Sequence, residues 1–394
     1  MSISKIYSIF KKSTGICTDT RKIEKGNLFF ALKGPNFNAN KLAKEALEKG
    51  AIAAIIDDEN YSEPDTILVD DALIALQNLA NHHRNQFDIP FIGITGSNGK
   101  TTTKELIAQV LQTTYKVHYT QGNFNNHIGV PLTLLSMPLD SEIAIIEMGA
   151  NKPGDIKELS DIANPNYGII TNIGKAHLEG MGSLEGVART KSELYLHLLK
   201  NGGTVFVNSA DDHLMRMASR FDEMIKFPQK GDFYECEFIE SSPYIVFKSN
   251  GVNIKTHLLG KYNFYNLAAA LCIGKYFKVD NDKALESIKN YKPEMNRSQV
   301  LEKGTNQIIL DAYNANPSSM KAAILNLDEI KSENKMAILG DMFELGADEE
   351  LEHSNLGELV AECSSINKCI FVGKAMRNAY LKHPMSVYFE TTDE

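Results

Sequence analysis

The sequence predicts an α/β protein whose central part is a mostly parallel sheet covered by helices on both faces. Three observations carry that expectation. Apolar β-type runs alternate with helical stretches along most of the chain, which is the pattern of parallel sheets. A Gly-rich turn at residues 96–100 joins one such run to a helix. The length of 394 residues exceeds one ordinary hydrophobic core, so two or three domains are expected.

The elements follow in order. Residues 27–32 form a strand-like apolar run, 41–49 are helical in composition, 51–56 and 66–69 are strand-like, and 71–86 have helical periodicity. Polar residues and Pro90 then precede a new strand, which sets a boundary at residues 88–90. Next come a strand at 91–95, the turn, a helix at 101–112, and further strands at 143–148, 168–171 and 204–208. Residues 234–257 are richer in β-type residues and suit a small antiparallel addition, and 263–277 return to helix. A third α/β unit begins near Gln299, with strands at 307–310, 336–339 and 369–372. No internal repeat, low-complexity tract or heptad seam is present.

Composition removes several classes. Forty-one Lys and Arg against 50 Asp and Glu leave a net charge of −9, which argues against a duplex nucleic-acid binder. With 43% apolar and 23% charged residues the chain is expected to be globular. No apolar run approaches the roughly 20 residues that span a bilayer, so no stable membrane insertion is expected. The first residues lack a signal-peptide layout, because their apolar stretch precedes their lysines. Cys17, Cys236, Cys272, Cys363 and Cys369 are scattered, with no CxxC, so neither a disulfide framework nor a zinc site is expected. A cytoplasmic location follows as the expectation.

The sharpest local signal is Gly93-Ile94-Thr95-Gly96-Ser97-Asn98-Gly99-Lys100-Thr101-Thr102. Between a strand and a helix, Gly96 and Gly99 let backbone N–H groups point at phosphate oxygens, and the helix N-terminus adds partial positive charge. Lys100 is in register to reach the outer phosphates and the Thr101 hydroxyl to ligate Mg²⁺. Ile94 stands where GxxxxGK[ST] has its first glycine. Such a turn can also serve chain reversal alone.

Other polar residues interrupt the apolar pattern. Glu147 ends the run 143–146, where a buried carboxylate requires a cation or donors, and a strand's carboxyl end is where open α/β sheets place ligands. A Mg²⁺ ligand or a helix cap both fit. His177 follows the strand 168–171, again at a carboxyl end, although a loop histidine is often simply exposed. Lys191 lies on the apolar stripe Leu184, Val187, Ala188, Leu194, Tyr195, Leu198 of a helix capped by Ser183. Its ammonium either escapes to the surface or is desolvated, with a lowered pKa. Asp311 and Gly340-Asp341 each end a strand of the third unit, and two polar strand ends side by side suggest a ligand cleft; turn chemistry explains them equally.

Six segments together resemble the Mur ligase family. They are Thr95-Gly96-Ser97-Asn98-Gly99-Lys100-Thr101-Thr102-Thr103-Lys104, Gly122-Asn123-Phe124-Asn125-Asn126-His127-Ile128-Gly129-Val130-Pro131, Glu147-Met148-Gly149-Ala150, the stretch from Ala176 to Glu185, Asp311-Ala312-Tyr313-Asn314-Ala315-Asn316-Pro317, and the stretch from Leu339 to Gly346. The resemblance runs from about residue 17 onward. It implies three domains: residues 1–88 for a UDP-sugar, 89–297 as a central P-loop ATPase, and 298–394 as a Rossmann-like domain for the amino substrate. The last three segments imply the branch that joins D-alanyl-D-alanine to UDP-N-acetylmuramoyl-tripeptide through an acyl phosphate, with ATP and Mg²⁺, as a monomer.

Carried over by resemblance, Thr95, Gly96, Ser97, Asn98, Gly99, Lys100, Thr101 and Thr102 hold ATP. Thr101 and Glu147 take the first Mg²⁺, and His177 with a carbamylated Lys191 the second. Asn266 lies near the adenine, Arg297 near the γ-phosphate and Asp311 near the ribose. Thr20 and Arg21 belong to a uridine turn, Asn126 to the tripeptide side, and Asn314, Asn316 and Asp341 to substrate binding. Two departures stand out. Asn38-Ala39-Asn40-Lys41 replaces the family's D-G-H-like turn, and the closing K-G-S-R-G-like segment is expected to be absent, which shortens the third domain and exposes a sheet edge. A sister Mur or folylpolyglutamate-type ligase, and a nucleotide-binding module that no longer ligates, remain as alternatives.

Overall fold

The computed structural model describes residues 2–294 and 296–394, and the chain divides into two compact units.

The first unit comprises Met1–Gly93, Lys116–Gly149 and Lys157–Asn166. Its four-stranded parallel sheet runs Ile16–Cys17, Leu28–Phe30, Ala53–Ile56, Thr66–Leu68 in spatial order. Phe29, Ala54 and Ile56 pack there with Ala31, Ala43 and Ala46, all fully buried. The small alanines let the helix Ala43–Glu48 lie close to the sheet, and the apolar run is continuous because both faces are covered. Asn40, in the Asn38-Ala39-Asn40-Lys41 turn, is fully buried. Its Nδ2 donates to Asp57 Oδ1 at 2.7 Å and its Oδ1 accepts from Asp57 N at 3.0 Å, tying the turn to the end of Ala53–Ile56. In the same unit Val117–Tyr119 pairs in parallel with Ile143–Glu147, and Ala144 N donates to Pro90 O at the start of strand Phe91–Thr95.

The helix Ala72–Arg84 starts where Asp71 accepts from Ile74 N at 2.9 Å. Its His83 is buried against the rings of Tyr7, Phe10 and Phe87. That burial pushes the imidazole down to about 4. The unfolded chain holds the proton near 6.5, so between those two values it binds more protons than the folded chain, and stability falls as pH drops. Urea midpoints measured from pH 7 down to 4.5 should therefore decline, and His83→Leu should flatten part of that slope. Identical slopes for the two chains would contradict this.

The second unit comprises Ile94–Tyr115, Ala150–Ile156 and Tyr167–Glu394. Tyr167–Ile170, Thr204–Asn208 and Ile225–Phe227 lie parallel in that order, and Thr171 N donates to Thr95 O beside the first of them. The helix Tyr262–Tyr276 is enclosed, with every residue from Leu267 to Gly274 apolar and buried, and it packs on the helix Lys100–Leu111. The β-rich stretch forms an antiparallel sheet of Glu237–Ser241, Tyr244–Ser249 and Val252–Leu259, as expected from its composition.

Beyond residue 298 the arrangement departs from the sequence reading in two ways. Asn306–Leu310 does not join the third parallel sheet. It folds back through Gly304-Thr305 onto Gln299–Lys303 as an antiparallel hairpin, which uses its backbone groups. Asp311 and Asp341 therefore end strands of separate sheets and are not adjacent strand ends. The parallel sheet itself is Met336–Gly340, Lys368–Val372 and Val387–Phe389, so a further strand follows the one at 369–372 and pairs with it.

Candidate active site

Strand Phe91–Thr95 leads into the turn and the helix Lys100–Leu111 begins at once, so the strand-turn-helix order is as expected. Gly96 has φ +147°, and a Cβ there would sit 2.0 Å from Thr171 Oγ1; Gly99 has φ +74° with Asn266 2.9 Å away. Both positions combine a left-handed backbone with a wall of side chain, which leaves glycine as the fitting residue. The turn is held from outside: Ser97 N donates to Asn172 O and Asn98 N to Asn172 Oδ1, both at 3.0 Å. The first-turn N–H groups of an α-helix have no intrahelical acceptor, so this end of Lys100–Leu111 offers donors to an anion. Lys100 Nζ donates to Gly96 O at 2.8 Å and Ser97 O at 3.2 Å, folded over the turn that it would serve.

Lys191 and His177 share the electrostatics of Lys100. Lys191 sits on the helix Leu184–Asn201, capped by Ser183 Oγ accepting from Gly186 N at 3.1 Å, and is 1% exposed. Its Nζ has no hydrogen-bond partner among the described residues. Burial pushes its amine down to about 7; the Lys100 charge acts the same way, and Asp155 and Glu193 oppose it. The inward-facing lysine expected from the helical stripe is thus found. His177 has φ +53° at the start of the short helix Leu178–Met181. Burial lowers its pKa, Glu344 opposes that, and Lys100 and Lys191 lower it further. Its Nδ1 meets Glu344 Oε2; with Nδ1 donating, Nε2 keeps a lone pair for a cation. Two lysines and an imidazole that disfavour one another's protonated forms make a site that invites anionic groups.

The remaining predicted residues are placed as follows. Thr95 and Thr101 are buried, as are Ser97 and Thr102. Asn266 lies behind Gly99, where its Oδ1 accepts from Thr103 Oγ1 at 3.1 Å and its Nδ2 donates to Asn263 Oδ1 at 2.8 Å. The Arg297 guanidinium stacks on Tyr313 at 3.8 Å, and its Nε has no hydrogen-bond partner among the described residues. Asp311 Oδ1 accepts from Ser298 N at 3.2 Å. Asn314 Oδ1 accepts from Ala315 N, and Asp341 Oδ1 from Met376 N. Asn316 caps the helix Pro317–Glu329.

In the first unit, Glu147 ends its strand 1% exposed, with Oε1 accepting from Asn125 Nδ2 at 2.7 Å. Asn126 Oδ1 accepts from Ile128 N and Gly129 N at the start of the helix Gly129–Leu135. Thr20 is buried, and the largely exposed Arg21 side chain is paired in bidentate fashion with Asp19. Sequence reasoning overlooked Glu344 and Asn172. Glu344 lies within a segment that carried the family resemblance, which was the one available signal.

Among the described residues no three His, Cys, Asp or Glu side chains converge into a metal cage. Mg²⁺ keeps waters and phosphate oxygens and takes only one or two carboxylates from a protein. The Thr101 hydroxyl, at the start of the helix after the turn, is a hard oxygen donor of the kind that ion prefers, and so, in the other unit, is the buried Glu147 carboxylate. Lys191 fits carbamylation, because CO₂ adds to a neutral amine and burial favours the neutral form of this one.

Fold and site define an α/β phosphate-loop protein with a charged site built around its turn. The model of the Mur ligase middle domain matches residues 94–274, and that of the Mur ligase glutamate ligase domain matches residues 296–388. The UDP-N-acetylmuramoyl-tripeptide–D-alanyl-D-alanine ligase of Bacillus subtilis is 38% identical over 369 residues, covering 91% of this chain and 80% of its own. The crystal structure of MurF from Acinetobacter baumannii superposes with a TM-score of 0.88 at 29% identity, covering 99% of this chain and 89% of that one. MurF from Thermotoga maritima in complex with ADP gives 0.85 at 27% identity, covering 98% and 89%. The chain belongs to the Mur ligase family.

Proposed function

We propose that this chain is an ATP-dependent ligase that joins D-alanyl-D-alanine to UDP-N-acetylmuramoyl-tripeptide in peptidoglycan precursor synthesis. The observation that carries the chemistry is a lysine folded over the phosphate turn, Lys100, whose charge acts on a second, buried lysine, Lys191, with no hydrogen-bond partner among the described residues. The substrate pair is supported by relatives of that activity at 30–38% identity. The tripeptide carboxylate attacks the γ-phosphate, ADP leaves, and the dipeptide amine then displaces phosphate from the acyl carbon. Phosphoryl transfer of this kind asks the protein for position and charge compensation. The N-terminus of Lys100–Leu111 and the Lys100 ammonium hold the phosphates, and Arg297 serves the γ-phosphate. Mg²⁺ when bound neutralises phosphate oxygens. By the family resemblance Thr101 and Glu147 are each assigned to Mg²⁺, and His177 with carbamylated Lys191 would hold a second ion.

Asn266 and Asp311 are assigned to the nucleoside, Thr20, Arg21 and Asn126 to the UDP-peptide, and Asn314, Asn316 and Asp341 to substrate binding. The layout carried with this reading is 1–88, 89–297 and 298–394, in a cytoplasmic monomer. No helix among the described residues is long and apolar enough to cross a membrane.

ADP release measured with UDP-N-acetylmuramoyl-tripeptide, ATP and either D-alanyl-D-alanine or single amino acids tests the assignment. Turnover is expected with the dipeptide. Turnover with a single amino acid alone would transfer the chain to a sister activity, and ATP binding without product would leave a binding module.

A further inference from the structure

Asn98, inside the phosphate turn, has each of its polar groups engaged. Its N–H donates to Asn172 Oδ1, and its carbonyl accepts from Thr171 Oγ1 at 2.6 Å and Asn172 Nδ2 at 2.9 Å. Its side chain faces Asn316: Asn316 Nδ2 donates to Asn98 Oδ1 at 2.7 Å, with Asn98 Nδ2 3.4 Å from Asn316 Oδ1. Asn316 is 9% exposed and holds a reciprocal capping box, in which its Oδ1 accepts from Ser319 N at 2.9 Å and its own N donates to Ser319 Oγ at 3.1 Å. That cap decides how the Asn316 amide is turned. Because Oδ1 must face Ser319 N, Nδ2 is left as the donor that meets the turn.

A second line of contacts runs beside the first. Ser97 Oγ donates to Gly174 O and accepts from Gly174 N, and Lys175 N donates to Ser318 Oγ at 2.9 Å. The phosphate turn, the loop after Tyr167–Ile170 and the first turn of Pro317–Glu329 are thus joined by polar groups of defined direction. Asn98 and Asn316 lie in different matched domains, the middle one and the glutamate ligase one.

We infer that Asn316 is a positioning residue for the phosphate turn: seating the cap of Pro317–Glu329 fixes the Asn98 side chain, and through it the peptide planes that frame the phosphates. Nucleotide affinity is thereby set in part from the domain that handles the amino substrate. This rests on reading the turn as a nucleotide site.

Asn316→Asp separates positioning from capping. Aspartate caps a helix as well as asparagine, but it removes the Nδ2 donor that fixes which way the Asn98 amide is turned. In the full chain, isothermal titration with ADP should show affinity reduced about fivefold, the worth of one ordinary hydrogen bond, at an unchanged melting temperature. Asn98→Ala should give a similar loss. Adding Asn316→Asp to it should cost nothing more, since the two act through one contact. Unchanged ADP affinity in Asn316→Asp overturns the inference, as does a further loss in the double variant, which would mean simple charge repulsion. A lower melting temperature at full affinity would reduce Asn316 to a cap and also overturn it. An unmodified chain that fails to bind ADP would remove the functional reading itself.

Discussion

Replacing Lys191 with alanine will lower ligase turnover by about two orders of magnitude or more, the scale on which losing a positioned charge at a transition state is felt, without unfolding the protein. The amine it removes is 1% exposed and has no hydrogen-bond partner among the described residues, so folding loses little polar interaction with it. Burying a cation without a partner is costly, and the protein escapes that cost by lowering the amine's pKa to about 7. If carbamylation is the use of this amine, two further results follow. CO₂-depleted buffer should depress the activity of the unmodified chain, with recovery on adding bicarbonate. Short carboxylates such as formate or acetate should restore part of the activity of Lys191→Ala by entering the space left by the side chain. A turnover within about twofold of the original, a barrier change of only ~0.4 kcal/mol, would end the carbamate reading.

Lys100→Met will produce a loss on the order of a thousandfold in turnover, the upper range for removing one preorganised charge from phosphoryl transfer. Methionine matches the length of the stem and cannot donate, so the two contacts to Gly96 O and Ser97 O vanish with the charge. The same substitution carries an electrostatic signature. The Lys100 charge is one cause of the low pKa of both Lys191 and His177, so both should rise in the variant, and the apparent pKa for Lys191 modification should move to higher pH. Rapid-quench measurement of the first turnover, with the pH profile of Lys191 labelling, reads both effects. Turnover within tenfold of the unmodified chain would mean that Lys100 does not face the transferred phosphate.

Much of this site was legible in the residues alone, for local reasons. The turn at 96–100 announces itself through two glycines between a β-type run and a helix, and the structure uses both at positive φ. Lys191 was readable because a helix repeats every 3.6 residues, so a lysine in step with Leu184, Val187 and Leu194 must face inward. The antiparallel sheet after residue 236 was readable from composition. Glu344 was not assigned, because its partner His177 lies 167 residues away and neither segment carries a local sign of the other. The pairing of Asn98 with Asn316 spans 218 residues and was equally hidden. The expectation that Asp311 and Asp341 end neighbouring strands failed on pairing: strand character at 307–310 was evident, but the partner was chosen by the Gly304-Thr305 turn.

The amino-acid order by itself determined the main strand and helix runs of the central part, where the phosphate turn lies, and that a lysine points into the protein. Each depends on periodicity or turn geometry within a few residues. Only the tertiary structure decided what surrounds them: the carboxylate that meets His177, the amide that meets Asn98, and the charge of Lys100 acting on Lys191. Those depend on distances across space, and a side chain's protonation and orientation follow the groups that folding brings to it.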